Sequence, residues 1–178
     1  MVSIGIHSPS QGPSSPRQDS ALERALARVR IDFPAHHPRP QALRFGLAVL
    51  IATVGSLAAD KILVAIGTWL FPATTGYVHF RFSDYGKLTV IGVIGACVAW
   101  PVVLWISSTP RWLFLRLATL VTLFLWLPDL WILWKGQPVR AVLVLMVMHL
   151  AIALVTYTVL VHLAPARRPS TPRAHPGP

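Results

Sequence analysis

The sequence predicts an all-α polytopic membrane protein: four transmembrane helices in an up-down bundle, with a disordered tail at each end. Three observations carry that expectation. Of 178 residues, 54% are hydrophobic and 12% charged, half the roughly 25% typical of soluble domains. Mean hydropathy is +0.58. The apolar residues gather into four runs, each long enough to cross hydrocarbon about 30 Å thick, which takes about 20 helical residues.

Residues 1–41 read as a cytoplasmic tail. Its first 18 residues carry Pro9, Pro13, Pro16 and five serines, a composition that cannot build a packed core. They hold no basic region followed by an apolar stretch, so no cleavable signal peptide is expected. Ser20-Ala21-Leu22-Glu23 has the form of a capping box and predicts a short helix over about 20–31. Leu22, Leu26 and Val29 share one face of it; Arg24 and Arg28 lie elsewhere and Arg30 follows. Two readings stay open: a basic helix resting on anionic lipid, where each Arg contributes about 1 kcal/mol, or a solvated helix in a tail. Pro34, Pro38 and Pro40 make a stiff connector.

The transmembrane domain spans 42–163, with helices expected at about 42–71, 87–106, 112–134 and 139–163. The first exceeds the bilayer thickness and should tilt or project; Pro72 ends it. The turns Ser107-Ser108-Thr109-Pro110 and Lys135-Gly136-Gln137-Pro138 are short, which forces antiparallel neighbours. In the loop 72–86, Val78, Phe80 and Phe82 alternate with His79, Arg81 and Ser83. That period of two fits a short strand; the aromatic content equally fits an interfacial cap. Residues 164–178 form the second tail.

Lys and Arg number 16 against six acids, a net charge of +10. Arg24, Arg28, Arg30, Arg39, Arg44, Arg111, Arg167, Arg168 and Arg173 fall on the side of the termini, against Arg81, Lys87, Lys135 and Arg140 on the other. The positive-inside bias therefore predicts a plasma-membrane protein with both termini cytoplasmic. The same bias accounts for the basic charge without nucleic acid. Small residues recur at spacings of three and four: Ala52, Gly55, Ser56 and Ala59 on the first span, Gly92, Gly95, Ala96 and Ala99 on the second. Such stripes let helix backbones approach closely, so these two should face each other or a partner subunit, including a second copy. Trp100 and Trp126 fall away from the expected interfaces and read as lipid-facing or packed bulk.

Ionisable groups inside the bilayer cost about 2.5–3.5 kcal/mol each at the helix centre and usually turn inward to a partner. Asp60, Lys61, Asp129 and His149 are predicted to form one intramembrane polar cluster, with Asp60 accepting a hydrogen bond from His149. Lys61, about 100° further around the helix, would meet Asp129 or snorkel outward. Arg116 should snorkel to the interface. Such a cluster either pins the first helix to the fourth, or relays protons or binds a cation.

No catalytic constellation is visible. Glycine-rich phosphate loops, H-E-x-x-H and G-x-S-x-G are absent. The lone Cys97 reads as a packing residue, and the adjacent His36-His37 do not make a metal site. No metal or other cofactor is expected, and the expected partners are the bilayer and other membrane proteins.

From the first span onward the order of features resembles a group of small actinobacterial four-helix membrane proteins of unknown function. The likeness covers residues 43–163: Ala58-Ala59-Asp60 in the first span, Ala99-Trp100 late in the second, a Thr109-Pro110-Arg111 turn, and Met148-His149-Leu150 in the fourth. Asp60, Ala99 and the tryptophan-rich third span depart from that group's pattern. The resemblance implies a four-helix fold and supplies no catalytic residue. The sequence thus leads to a non-enzymatic accessory or scaffold protein of the cell envelope. Its rival is a small proton- or ion-coupled channel or carrier built on Asp60 and His149.

Overall fold

A computed structural model describes residues 21–31 and 40–165. The expected tail segments 1–20, 32–39 and 166–178 lie outside the described residues. Five α-helices are present: α1 (Ala21–Arg28), α2 (Ala42–Leu70), α3 (Phe82–Ile106), α4 (Pro110–Trp134) and α5 (Val139–Leu163). The last four are long and apolar enough to cross a membrane. They form an all-α, up-down four-helix bundle, apolar on nearly every face, as a helix surrounded by lipid must be.

Proline and glycine punctuate the chain. Pro72 follows the α2 terminus at Phe71, and Pro110 opens α4 as its first residue, where its missing N–H costs nothing. At the other end of α4, Gly136 takes φ +87°. Its N–H bonds Leu133 O and the next N–H, of Gln137, bonds Ile132 O. This double closure requires a left-handed residue that glycine supplies without strain. Pro138 then prevents continuation, so α5 starts at once and runs back along α4.

The longest helix contact is between α2 and α5; α4 also lies against α5, and α2 against α3. Each membrane span of 25 residues is about 37 Å long, so its ends reach the headgroup layers. One end of the bundle, the tail end, holds the start of α2 and the end of α5. The other, the loop end, holds the 72–81 segment and the α4–α5 turn.

Several expectations are corrected. The second span begins at Phe82, five residues before the expected Lys87, and the third at Pro110. Residues 72–81 form no strand; they fold as two 3-10 turns, Pro72–Thr74 and Val78–Phe80. A lone strand here would have no sheet to join. Tyr77 instead stacks edge-on against Phe80, ring centroids 5.2 Å apart, and Phe80 is buried among Tyr85, Ala141, Leu145 and Met148. The segment is an aromatic cap. The two small-residue stripes meet only in part: Ala96 and Ala99 pack against the core cluster that holds Ala52. Ala48, Ala52 and Ser56 do turn inward, toward Val93 and Cys97 of α3 among others. Gly92 and Gly95, however, have nothing within 4 Å of a built Cβ. Gly55 and Gly67 lie against α5, beside Val155 and Val144. Trp100, fully buried, stacks on Phe114 and donates its Nε1–H to Ala164 O at 2.9 Å, tying α3 to the end of α5. Trp126 Nε1–H donates to Met146 O.

A Cβ at Gly67 would lie 2.7 Å from Val144 Cγ2, and a β-branched side chain on a helix has no other rotamer to take. Gly67→Ala should therefore destabilise the bundle by about 1–2 kcal/mol, overpacking outweighing the gain in helix propensity. Gly92→Ala, in open space, should hold or raise stability. Thermal unfolding in detergent, followed by circular dichroism, distinguishes the two. Reporters fused after Leu163 and inserted within 74–84 should mark opposite sides of the membrane.

Candidate functional site

The interior polar groups gather toward the loop end, on four helices. Asp60 is completely buried at a point about 15 Å along α2 from Leu70. Its Oδ2 accepts a hydrogen bond of 2.6 Å from Thr89 Oγ1 of α3. The same hydroxyl lies 2.9 Å from Tyr85 O, one turn back, the usual resting place of a helical threonine. Asp60 Oδ1 has no hydrogen-bond partner.

Asp129 of α4 and His149 of α5 form the second unit. His149 Nδ1 is 3.0 Å from Asp129 Oδ2 and 3.0 Å from Leu145 O. The contact with Asp129 meets the distance of an ion pair, yet Oδ2 has no aligned hydrogen-bond donor. The ring nitrogen is directed at the Leu145 carbonyl, and the carboxylate sits beside it. Asp60 and His149 remain within electrostatic reach of each other.

Tyr77, in the cap and outside the spans, packs against this end of the bundle. Its hydroxyl is shut off from solvent with no partner. Burial first, and then the Asp129 carboxylate, push its pKa above the ordinary 10.0, so it is a neutral phenol. Nearer the tail end, Ser56 and Thr156 hydroxyls meet at 3.5 Å across α2 and α5.

The predicted cluster is thus brought together in part. Asp129 touches His149; Asp60 is nearby but bonds Thr89 rather than a His149 nitrogen. Lys61 is outside it. With Asp60 pointing inward, the 100° step per residue turns Lys61 onto the exposed face of α2. Neither Asp129 nor any other acid pairs with it among the described residues. Tyr77 was expected only as one of the aromatic residues of the cap, and Thr89 was missed; a lone hydroxyl within the apolar run Leu88 to Val93 is the signal for it. No group of three or more His, Cys, Asp or Glu side chains is placed to hold a metal among the described residues.

The basic helix occupies the tail end. Arg24, Arg28 and Arg30 are exposed. The chain turns at Arg30, which has φ +55°, a left-handed conformation costly for a side-chain-bearing residue. The turn is held because Arg30 O accepts from Ser107 Oγ at 2.8 Å and Ile31 bridges Ser107. The Arg30 guanidinium lies 5.4 Å from the Trp112 ring centroid and that of Arg116 3.3 Å from the same ring. Arg116 thus reaches back one turn toward the helix end. The basic segment is fastened to the α3–α4 turn.

The fold and these contacts define a helical multi-pass membrane protein. No family model, curated protein or solved structure matches the chain.

Removing one member of a buried acid–base pair strands the other, though partners inside membranes often couple by only about 1 kcal/mol. A His149→Ala and Asp129→Ala double-mutant cycle should give a coupling of about 1–2 kcal/mol in detergent unfolding. Lys61→Ala should shift stability by less than about 0.5 kcal/mol, as for a surface residue.

Proposed function

We propose that this chain is a non-enzymatic accessory or scaffold subunit of the plasma membrane, with both termini cytoplasmic, that associates laterally with another membrane protein. The observation that carries the reading is Lys61. It stands on the exposed face of α2 with exposed Ala58 and Ala65 one turn to either side. An unpaired cation in a span is costly, and a four-carbon stem recovers only part of that by snorkelling. Small neighbours admit a helix backbone, and a carboxylate on that helix would satisfy the ammonium. Asp60 and Asp129 of a second copy are buried, and Asp84 sits in the first turn of α3, at the bundle end and about 13 Å along a span from the depth of Lys61, so the proposed partner is a different chain with an acidic residue in a span. The bridges from α2 to α3, α4 to α5 and α2 to α5 support a structural role for the interior polar groups.

One observation favours the second reading, an ion-coupled channel or carrier: Asp60 Oδ1 and the Tyr77 hydroxyl are buried without partners. They offer oxygen atoms to a proton or small cation.

Photo-crosslinking from position 58 or 65 in cells should capture a discrete partner, and Lys61→Leu should reduce the yield at least about tenfold while Lys61→Arg retains it. Purified wild-type protein in liposomes should conduct no protons or alkali cations. A wild-type flux abolished by Asp60→Asn would replace the scaffold reading with the ion-coupled one.

A further inference from the structure

We propose that the groove between α2 and α5 at the loop end is a binding site for one anionic phospholipid, an acyl chain lying in the groove and the phosphate held by Arg140. The site is independent of the partner surface around Lys61. Its volume is about 210 Å³, and its walls include Leu63, Ile66, Leu143 and Val147. Its floor is the contact of Gly67 with Val144. The glycine there is already covered, so a partner helix finds no open small-residue face; a flexible hydrocarbon chain meets no such requirement.

Phe71 lines the groove at its loop end, and the Arg140 guanidinium stands 5.3 Å from the Phe71 ring centroid. Stacked on a ring, a guanidinium keeps its N–H edge free for a phosphate. Arg140 is exposed and no carboxylate pairs with it among the described residues. It is the second residue of α5, so the positive end of the helix dipole adds to the attraction for an anion. It also sits at the end of a span of about 37 Å, at the depth of lipid phosphates. The chain contributes little selectivity, since lipid tails are as apolar as the side chains they would touch. Charge at the mouth is what distinguishes one lipid from another.

The test is native mass spectrometry of the full chain in detergent, titrated with phosphatidylglycerol or phosphatidylcholine. Wild type should retain one phosphatidylglycerol at a concentration about tenfold below that for phosphatidylcholine. Arg140→Gln should erase most of the difference, weakening phosphatidylglycerol retention far more than that of phosphatidylcholine, whose phosphate is already offset by its choline. Val147→Trp, which fills the groove from an exposed position, should weaken both, with folding checked by circular dichroism. Arg81→Gln, another cation at the same end, should have no effect. Equal retention of the two lipids by wild type, an Arg81→Gln effect as large as that of Arg140→Gln, or unchanged lipid binding in Val147→Trp would each overturn the proposal. Displacement of the lipid by millimolar inorganic phosphate would show a free-anion site and overturn the role of the acyl chain.

Discussion

Hydrocarbon offers no hydrogen bonds, so every polar group placed within it must find its partner inside the protein. The backbone meets that demand by forming helices. The side chains meet it by reaching between them. Thr89 turns to Asp60, Ser56 to Thr156, and Trp100 to the Ala164 carbonyl just past α5, while the Asp129 carboxylate lies beside His149. Little hydrophobic force draws one spanning helix to another. These bridges, with the close approach at Gly67 and Gly55, therefore bear much of the choice of which helix lies beside which.

The two ends of the bundle solve different problems. At the tail end the core is aromatic, with Trp100, Phe114 and Tyr157 in successive ring contact, and the exterior is cationic. Trp112 lies under both Arg30 and Arg116, so two like charges share one ring face system rather than a carboxylate. At the loop end the buried carboxylates sit beneath an aromatic cap formed by Tyr77 and Phe80. The cap covers these carboxylates, and in such low-dielectric surroundings electrostatic contacts are stronger than in water. Lys61 and Arg140 are exposed on the outside of this end, and no acid pairs with either among the described residues.

How much was legible from residue order differs by feature. The spans at Ala42–Leu70 and Val139–Leu163 were legible to within a residue or two because Pro72 and Pro138 punctuate runs of unbroken apolarity. The start of α3 was not: Ser83, Asp84, Tyr85 and Gly86 read as loop, yet they form the first turn of a helix with Asp84 near its positive end. The alternation from Val78 to Ser83 suggested a strand, but periodicity without a neighbouring strand has nothing to pair with. The polar cluster was legible as a set of costly residues and misread in its pairing. Depth can be counted along a helix; rotation about its axis cannot be counted against a neighbour whose position is unknown.

Residue order alone was enough for the four apolar helices and the antiparallel turns, because these follow from how far apolar runs extend and what interrupts them. Packing decided the rest. Only when α2 is set against α5 and α3 does Asp60 meet Thr89 instead of His149, Lys61 face outward, and Gly92 stay open while Gly67 is covered. The reason is geometric: a helix that is apolar all round carries no instruction about which face to bury, and that choice is made by the contacts of its neighbours.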